Sequence, residues 1–320
     1  MKRTWLQRWL IDPLEYALVR LLFGGLGLLS PVQASNLGAW VGRTLGPRLP
    51  ASNRARRNLA LVMPELGSAR HETLIRNMWD NLGRIFGEIP HLAAIAETVP
   101  VPDDQLDALR AAKADGRPMI FVGAHLSNFE VFGRVAARHG YPLALIYRRA
   151  NNPLVDDYYR QLRGSDLLLL PKGLEGFREV RRVMAAGGNL GILIDQKLNE
   201  GVSAPFFGRP AMTTSAPAQM AMRFRAPIIF GHVERLGPAK YRMFARVISP
   251  IELAETSTKS RREAELAMTA HLNEVVEAQI REQPDDWFWL HRRWPDSKGP
   301  WPDPNLQRRA GASGAGRSTP

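Results

Sequence analysis

Six short apolar runs, at 119–123, 143–147, 167–170, 190–194, 228–233 and 242–248, punctuate the middle of the chain, with segments of helical length between them. Runs such as Leu190-Gly191-Ile192-Leu193-Ile194 show no alternation of apolar and polar positions. That suits strands buried on both faces, with helices packed over them. The pattern predicts an α/β fold with a central, mostly parallel sheet flanked by helices. No internal linker interrupts it, so 41–306 reads as one domain. From 307 to 320 the chain is mostly Arg, Gly, Ala, Ser and Pro with no large apolar residue, which predicts a disordered tail.

The first forty residues follow a different pattern. Trp5, Trp9 and Trp40 accompany Lys2, Arg3 and Arg8, and an apolar stretch at 14–29 is broken only by Glu15 and Arg20. Its uninterrupted part, 21–29, is short of the roughly 20 residues that cross about 30 Å of hydrocarbon. The expectation for 1–40 is therefore an apolar, membrane-associating helix that lies in or dips into the interface. A buried core helix is the plain alternative, and Glu15 and Arg20 argue against a signal peptide. A second cluster, Trp287-Phe288-Trp289-Leu290-His291-Arg292-Arg293-Trp294, mixes rings and guanidinium groups. Such a cluster can hold a headgroup, a phosphate or a base, or Trp287 and Trp289 can be one face of a core strand.

Composition narrows the chemistry. Among 320 residues, 43 basic against 31 acidic side chains give a net charge of +12. That implies an anionic partner: nucleic acid, a membrane surface, or an acidic substrate or carrier protein. The chain has no cysteine, which removes disulfides, thiolate metal sites and a cysteine acyl-enzyme. Gly-x-Ser-x-Gly, His-Glu-x-x-His, Walker and dinucleotide motifs are absent as well. What remains is acid/base chemistry without a metal or cofactor.

The strongest candidate follows the first apolar run, where His125 and Glu130 stand five positions apart in His125-Leu126-Ser127-Asn128-Phe129-Glu130. Imidazole exchanges protons near neutral pH, and a carboxylate on its second nitrogen fixes the tautomer. Within one helix the two side chains would diverge by roughly 140°. The pair works if His125 sits on the turn leaving the strand and Glu130 in the first turn of the next helix. Ser127 and Glu130 also form a capping-box pattern that would start that helix, and both readings can hold together. Other polar residues end later runs, where such sheets place their sites. Arg148, Arg149, Asn151 and Asn152 follow the second run, and Asp195 follows the fourth. The arginines suit a phosphate or an oxyanion, or make a solvated basic loop. Asp195 positions substrate, holds an arginine, or caps the next segment. The apolar, turn-rich stretch at 204–214 reads as a loop that walls an acyl groove or closes the core.

Taken in order, the motifs GAHLSNFE (123–130), YRRANNP (147–153), Pro171-Lys172, Asp195-Gln196, PFFGRPAMTTSAPAQMA (205–221) and WFWLHRRW (287–294) closely resemble the bacterial lipid A late acyltransferases. These are the lauroyl and myristoyl transferases of the lysophospholipid acyltransferase superfamily, and the resemblance covers about 5–295. It implies that His125 deprotonates a hydroxyl of an anionic lipid A precursor and that the alkoxide attacks an acyl carrier protein thioester, with Glu130 orienting the base. It further implies substrate binding by Arg148, Arg149, Asn151, Asn152 and Asp195, no cofactor, and a place on the cytoplasmic face of the inner membrane. Two departures bear on substrate. The Glu-Gly-Thr-Arg phosphate motif of glycerol-3-phosphate and lysophosphatidate acyltransferases is missing, and Pro295 stands where a basic residue is expected. Two other readings remain: the same chemistry on another glycolipid or phospholipid acceptor, and a basic nucleic-acid-binding protein. The basic residues trace no known RNA or DNA module, so no nucleic-acid partner is expected.

Overall fold

The computed structural model describes residues 6–164, 167–248 and 260–294. The tail at 307–320 and Pro295 lie outside them. After a five-residue π turn come α1 (Asp12–Gly27), α2 (Pro31–Leu45), α3 (Ser52–Val62), α4 (Gly67–Glu88), α5 (Leu92–Glu97) and α6 (Asp103–Lys113). The apolar stretch at 14–29 thus does not continue as one helix. Ser30 stops it by starting α2 with a capping box, accepting from Gln33 N at 3.3 Å and donating its own N–H to Gln33 Oε1 at 3.0 Å, with Pro31 at the first helical position. Among the described residues no helix is long and apolar enough to cross a membrane. Where a single apolar helix is expected over 1–40, the described residues from 12 onward form a helical pair, α1 and α2, docked on the domain. α1 rests on a later helix through Tyr16 and Phe23, whose rings lie 6.1 and 6.4 Å from that of Tyr158. Its opposite side leaves Leu14, Leu18 and Leu21 exposed at 68, 67 and 75%.

α2 and α4 pack backbone against backbone. A Cβ on Gly38 would overlap the carbonyl oxygen of Gly83, and one on Gly42 that of Trp79. Only hydrogen fits at those two positions, and the close approach fixes α4, which backs the candidate site.

The apolar runs become β1 (Ile120–Gly123), β2 (Leu143–Tyr147), β3 (Leu168–Pro171) and β4 (Asn189–Leu193), then after a hairpin of β5 (Val202–Phe206) and β6 (Arg209–Thr213), β7 (Ile228–Gly237) and β8 (Lys240–Ile248). Between them lie α7 (Phe129–Arg138), α8 (Pro153–Arg163), α9 (Leu174–Ala185) and α10 (Ala216–Phe224), and α11 (Arg261–Glu282) follows β8. The main sheet has the order β3-β2-β4-β1-β7-β8. Its first five strands run parallel, and β8 returns antiparallel at the edge. β1 is central and buried throughout, which is why its sequence does not alternate. On β8, Tyr241, Met243 and Ala245 point inward while Lys240, Arg242 and Arg246 stay exposed, as an edge strand with one wet face requires. One core layer joins the sheet to α5, α6 and α7 through Leu92, Leu109, Val131 and Phe121. The other joins it to α3, α4, α10 and α11 through Leu59, Met78, Ala218 and Leu272. Each fully buried leucine contributes about 2 kcal/mol.

Candidate active site

His125 leaves the C-terminal end of β1, and its backbone is pinned from the far end of the chain. Phe288 N donates to His125 O at 3.3 Å, Ser127 N donates to Asp286 O at 3.1 Å, and Leu126 bridges Trp287 in antiparallel fashion. The register Gly123↔Leu193 brings the residues after β4 alongside those after β1. Asp195, fully buried, therefore meets His125. Its Oδ1 accepts from Nδ1 at 2.8 Å and its Oδ2 from the His125 backbone N–H at 3.0 Å, while Trp287 Nε1 donates to Oδ2 at 2.7 Å. Burial alone would raise this carboxyl, but the His125 imidazole and the Trp287 indole, its two side-chain donors, hold it well below the usual carboxylate range. A carboxylate accepts only, so Nδ1 of His125 carries a proton, and in the neutral ring it is Nε2 that presents the lone pair. Gln196 Nε2 lies 2.9 Å from His125 Nε2, 3.4 Å from His125 Nδ1 and 3.0 Å from His291 Nε2, so the amide stands over the face of the imidazole. Burial, reinforced by His125 and opposed by Asp195, lowers His291 to about 4, so it is neutral near pH 7.

The contact predicted between His125 and Glu130 is not formed. Glu130, in the first turn of α7, faces α8, where Arg163 donates from Nε to Oε2 at 2.7 Å and from Nη2 to Oε1. The cause is local: Ser127 turns the chain through a left-handed conformation, φ 47°, which aims the start of α7 away from the imidazole. The predicted capping box is also absent. The helix starts from Asn128 without a side-chain cap, and the buried Ser127 Oγ has no hydrogen-bond partner among the described residues.

The residues after β2 divide by role. Arg148, Arg149 and Asn151 are exposed on the same edge of the sheet as His125. Since β4 lies between β2 and β1, they stand roughly two strand spacings, about 10 Å, from the imidazole. Asn152 is buried instead. Its Oδ1 caps α8 by accepting from Leu154 N and Val155 N, and its Nδ2 donates to Asp12 O at 2.9 Å and Glu15 Oε2 at 3.0 Å. It ties α1 to the loop that carries the arginines. Its side chain is thus occupied by the protein itself, contrary to the expected substrate contact.

Behind the loop stands Glu88, fully buried at the end of α4. It accepts from Ser35 Oγ (2.7 Å), Asn128 Nδ2 (2.7 Å), Arg235 Nη1 (2.6 Å) and Tyr241 OH. Neither Glu88 nor Gln196, Trp287 and His291 were singled out as site residues from sequence. The Asp195-Gln196 and WFWLHRRW motifs contained three of them, but Glu88 sits in an amphipathic helix and gives no signal.

Most of the aromatic and basic cluster is structural. Trp287, Trp289 and Trp294 are buried, but the segment is a loop with a single bridge from Leu126 to Trp287 and not the core strand of the alternative reading. Arg293 is buried as well, donating to Met212 O and Thr213 Oγ1 at 2.7 Å each and lying 4.7 Å from the Phe206 ring, so it is not a headgroup ligand. The β5–β6 hairpin that covers it occupies the stretch expected to be a loop. An apolar cavity of about 100 Å³ opens beside the loop after β1, between the sheet and α7, lined by Phe129, Phe132, Leu143, Leu145 and Leu193 with Glu130 and Arg163 among its polar groups. The Phe129 ring is 4.8 Å from that of His125, so the cavity begins next to the imidazole. Among the described residues no cluster of His, Cys, Asp and Glu is arranged to hold a metal ion.

A profile of the family described as bacterial lipid A biosynthesis acyltransferase matches residues 3–296. The lipid A biosynthesis palmitoleoyltransferase of Escherichia coli (strain K12) is 27% identical over 278 residues, covering 81% of this chain and 83% of that protein. The lipid A biosynthesis lauroyltransferase of the same organism is 24% identical over 311 residues, 91% and 90% of the two chains. A lipid A biosynthesis acyltransferase of Haemophilus influenzae is 24% identical over 259 residues, 77% and 79%.

Proposed function

The chain belongs to the bacterial lipid A biosynthesis acyltransferase family and is an acyltransferase of lipid A synthesis, and from that footing we propose how it works and on what. The acyl chain comes from an acyl carrier protein thioester and goes to a hydroxyl of a lipid A precursor. His125 is the general base. The observation that carries this is its hydrogen bond to buried Asp195, which makes Nε2 the proton-accepting nitrogen of the neutral ring, with an apolar cavity beginning beside it. Asp195 orients the imidazole and stabilises the imidazolium, the part that Glu130 was expected to play. Glu130, with Arg163, shapes the cavity that receives the acyl chain. Arg148 and Arg149 bind acceptor phosphate or the thioester oxyanion, with Asn151 beside them.

The reaction needs no covalent enzyme intermediate. The acceptor hydroxyl gives its proton to His125 Nε2 as its oxygen bonds to the acyl carbonyl carbon. When the tetrahedral intermediate collapses, the C–S bond breaks and the imidazolium returns the proton to the thiolate.

The protein works at the cytoplasmic face of the inner membrane. Supporting this are the exposed leucines of α1, the exposed Trp9 and Trp40, and a net charge of +12 suited to an anionic leaflet, a phosphorylated acceptor and an acidic carrier protein.

The test is transfer from labelled acyl carrier protein to a panel of acceptors, with products identified by mass spectrometry. Transfer to the lipid A precursor, lost in His125→Ala at unchanged Tm, is expected. Exclusive transfer to another glycolipid or phospholipid would replace the acceptor assignment and keep the chemistry.

A further inference from the structure

A group of exposed cations stands apart from His125. On α9, Arg178, Arg181 and Arg182 occupy positions i, i+3 and i+4, so they share one side of the helix, and Arg223 comes up beside them from the last turn of α10. The four line a groove of about 290 Å³ with Ala185 and Phe224. Of these, Arg182 pairs with Glu179 at 2.8 Å, and among the described residues Arg178, Arg181 and Arg223 meet no carboxylate. Glu175 is the other acid of the helix, so positive charge stays in excess. Like charges at helical spacing repel one another and destabilise the helix. The fold gains nothing by keeping them together, and an acidic partner does.

The surroundings separate a protein partner from a membrane. α9 and α10 pack on one face of the sheet, through Val180, Met184 and Ala218, whereas α7 packs on the other through Val131. α8 is joined to α7 by the pair of Arg163 with Glu130, and α1 rests on α8 through Phe23 and Tyr158. The exposed leucines of α1 and the arginines of α9 therefore belong to opposite faces. A bilayer held at α1 leaves the groove open to a soluble protein. Beside the groove one large apolar side chain is exposed, Leu174 at 68%, where α1 exposes a row of them.

We propose that the groove between α9 and α10 is the docking surface for the acidic acyl carrier protein that brings the donor. The proposal rests on the carrier-thioester reading above and adds where the carrier sits. α9 joins β3 to the parallel strand β4, so it starts at the sheet edge that carries His125 and descends from it. Arg178 and Arg182 lie roughly 6 and 12 Å down from its first residue. Along the edge, the end of β3 is three strand spacings, about 14 Å, from the loop of His125. A carrier laid along α9 spans this with its long phosphopantetheine arm, and Lys172, exposed between β3 and α9, stands on the route. The acyl cavity opens on the α7 face. Arm and acyl chain thus leave the thioester toward opposite faces of the sheet, with His125 at the crest between them.

The experiment uses the full chain, a lipid A precursor and acyl carrier protein loaded with a radiolabelled lauroyl thioester. In the triple variant Arg178→Glu, Arg181→Glu, Arg223→Glu, KM for the loaded carrier is expected to rise about tenfold or more, with kcat and Tm unchanged and a flatter dependence of kcat/KM on salt. The neutral triple, each of the three arginines to glutamine, is expected to shift KM the same way by less, and it decides the matter if the reversed variant does not fold. Carrier without its prosthetic arm reaches only the docking surface. It is expected to compete with loaded carrier for the wild type and not for the variant. An unchanged KM for loaded carrier in a folded triple variant overturns the docking surface, as does an armless carrier that affects both proteins alike. Loss of binding to anionic phospholipid vesicles with carrier KM unchanged makes the groove a membrane contact and overturns it too. Wild-type protein that takes no acyl chain from the carrier overturns the donor reading instead, so the two failures are distinct.

Discussion

Three donors converge on Asp195 where water does not reach, and this arrangement decides which nitrogen of His125 is basic. Asparagine there would turn an N–H toward His125 or Trp287 and favour the other tautomer, with Nε2 protonated. On the proposed mechanism Asp195→Asn lowers kcat by about 10³-fold or more, in line with the same change in the serine protease triad. Steady-state kinetics on the folded fraction checks it, and Glu130→Gln, which loosens the contacts with Arg163 and Tyr159 and leaves Asp195 in place, keeps measurable activity in the same assay. Asp286, whose carbonyl receives Ser127 N–H, is a different case. Burial raises its carboxyl to about 6, with Arg235 opposing and Asp285 and Glu234 adding. A carboxyl raised in the folded state destabilises the fold above that pH, and the penalty fades as pH falls toward the ordinary value of 3.8. Asp286→Asn is therefore expected to raise stability by about 1–2 kcal/mol at pH 8 and by little at pH 4, read from thermal unfolding at both. His125 and Asp195 could both be picked from sequence, but their pairing could not. A spacing of five suggested Glu130, whereas the partner comes from the neighbouring strand, 70 residues on.

At the scale of elements, the strands of the main sheet were legible because burial on both faces leaves unbroken apolar runs. The β5–β6 hairpin was not. Its strands contain Pro205 and Pro210, which face each other in the ladder and argue against strands in any sequence reading. Its turn uses Phe207 and Gly208, both at positive φ, where Asn-Gly would have announced a two-residue hairpin. The contact of α2 with α4 was equally hidden, since glycines spaced along helices look merely unfavourable. Gly38→Leu is expected to force the helices apart at a cost of about 3 kcal/mol, because the overlapping atom is a backbone oxygen that cannot swing aside. The drop appears in denaturant unfolding. Activity falls with it, since α4 holds Glu88 and, through it, Asn128 at the start of α7.

For the whole molecule, the exposed side of α1 and the net charge bear on one measurement. Binding to vesicles of anionic phospholipid is expected to weaken as salt rises yet to persist, because apolar contact is not screened. Replacing Leu14, Leu18 and Leu21 by serine should reduce vesicle binding at least tenfold without changing Tm, since all three are mostly exposed. Equal binding by that variant would rule out α1 as the contact. Fold class, strand order of appearance and the sheet edge carrying the site were readable from the whole chain. The closing of the site was not, because it depends on a segment remote in sequence. Trp287 reaches Asp195 across 92 positions, and His291 reaches Gln196 across 95. A chain still being synthesised therefore has its sheet and its histidine long before the imidazole acquires fixed neighbours. On the proposed mechanism, a copy clipped before that segment keeps the histidine without its fixed surroundings and is expected to transfer no acyl chain.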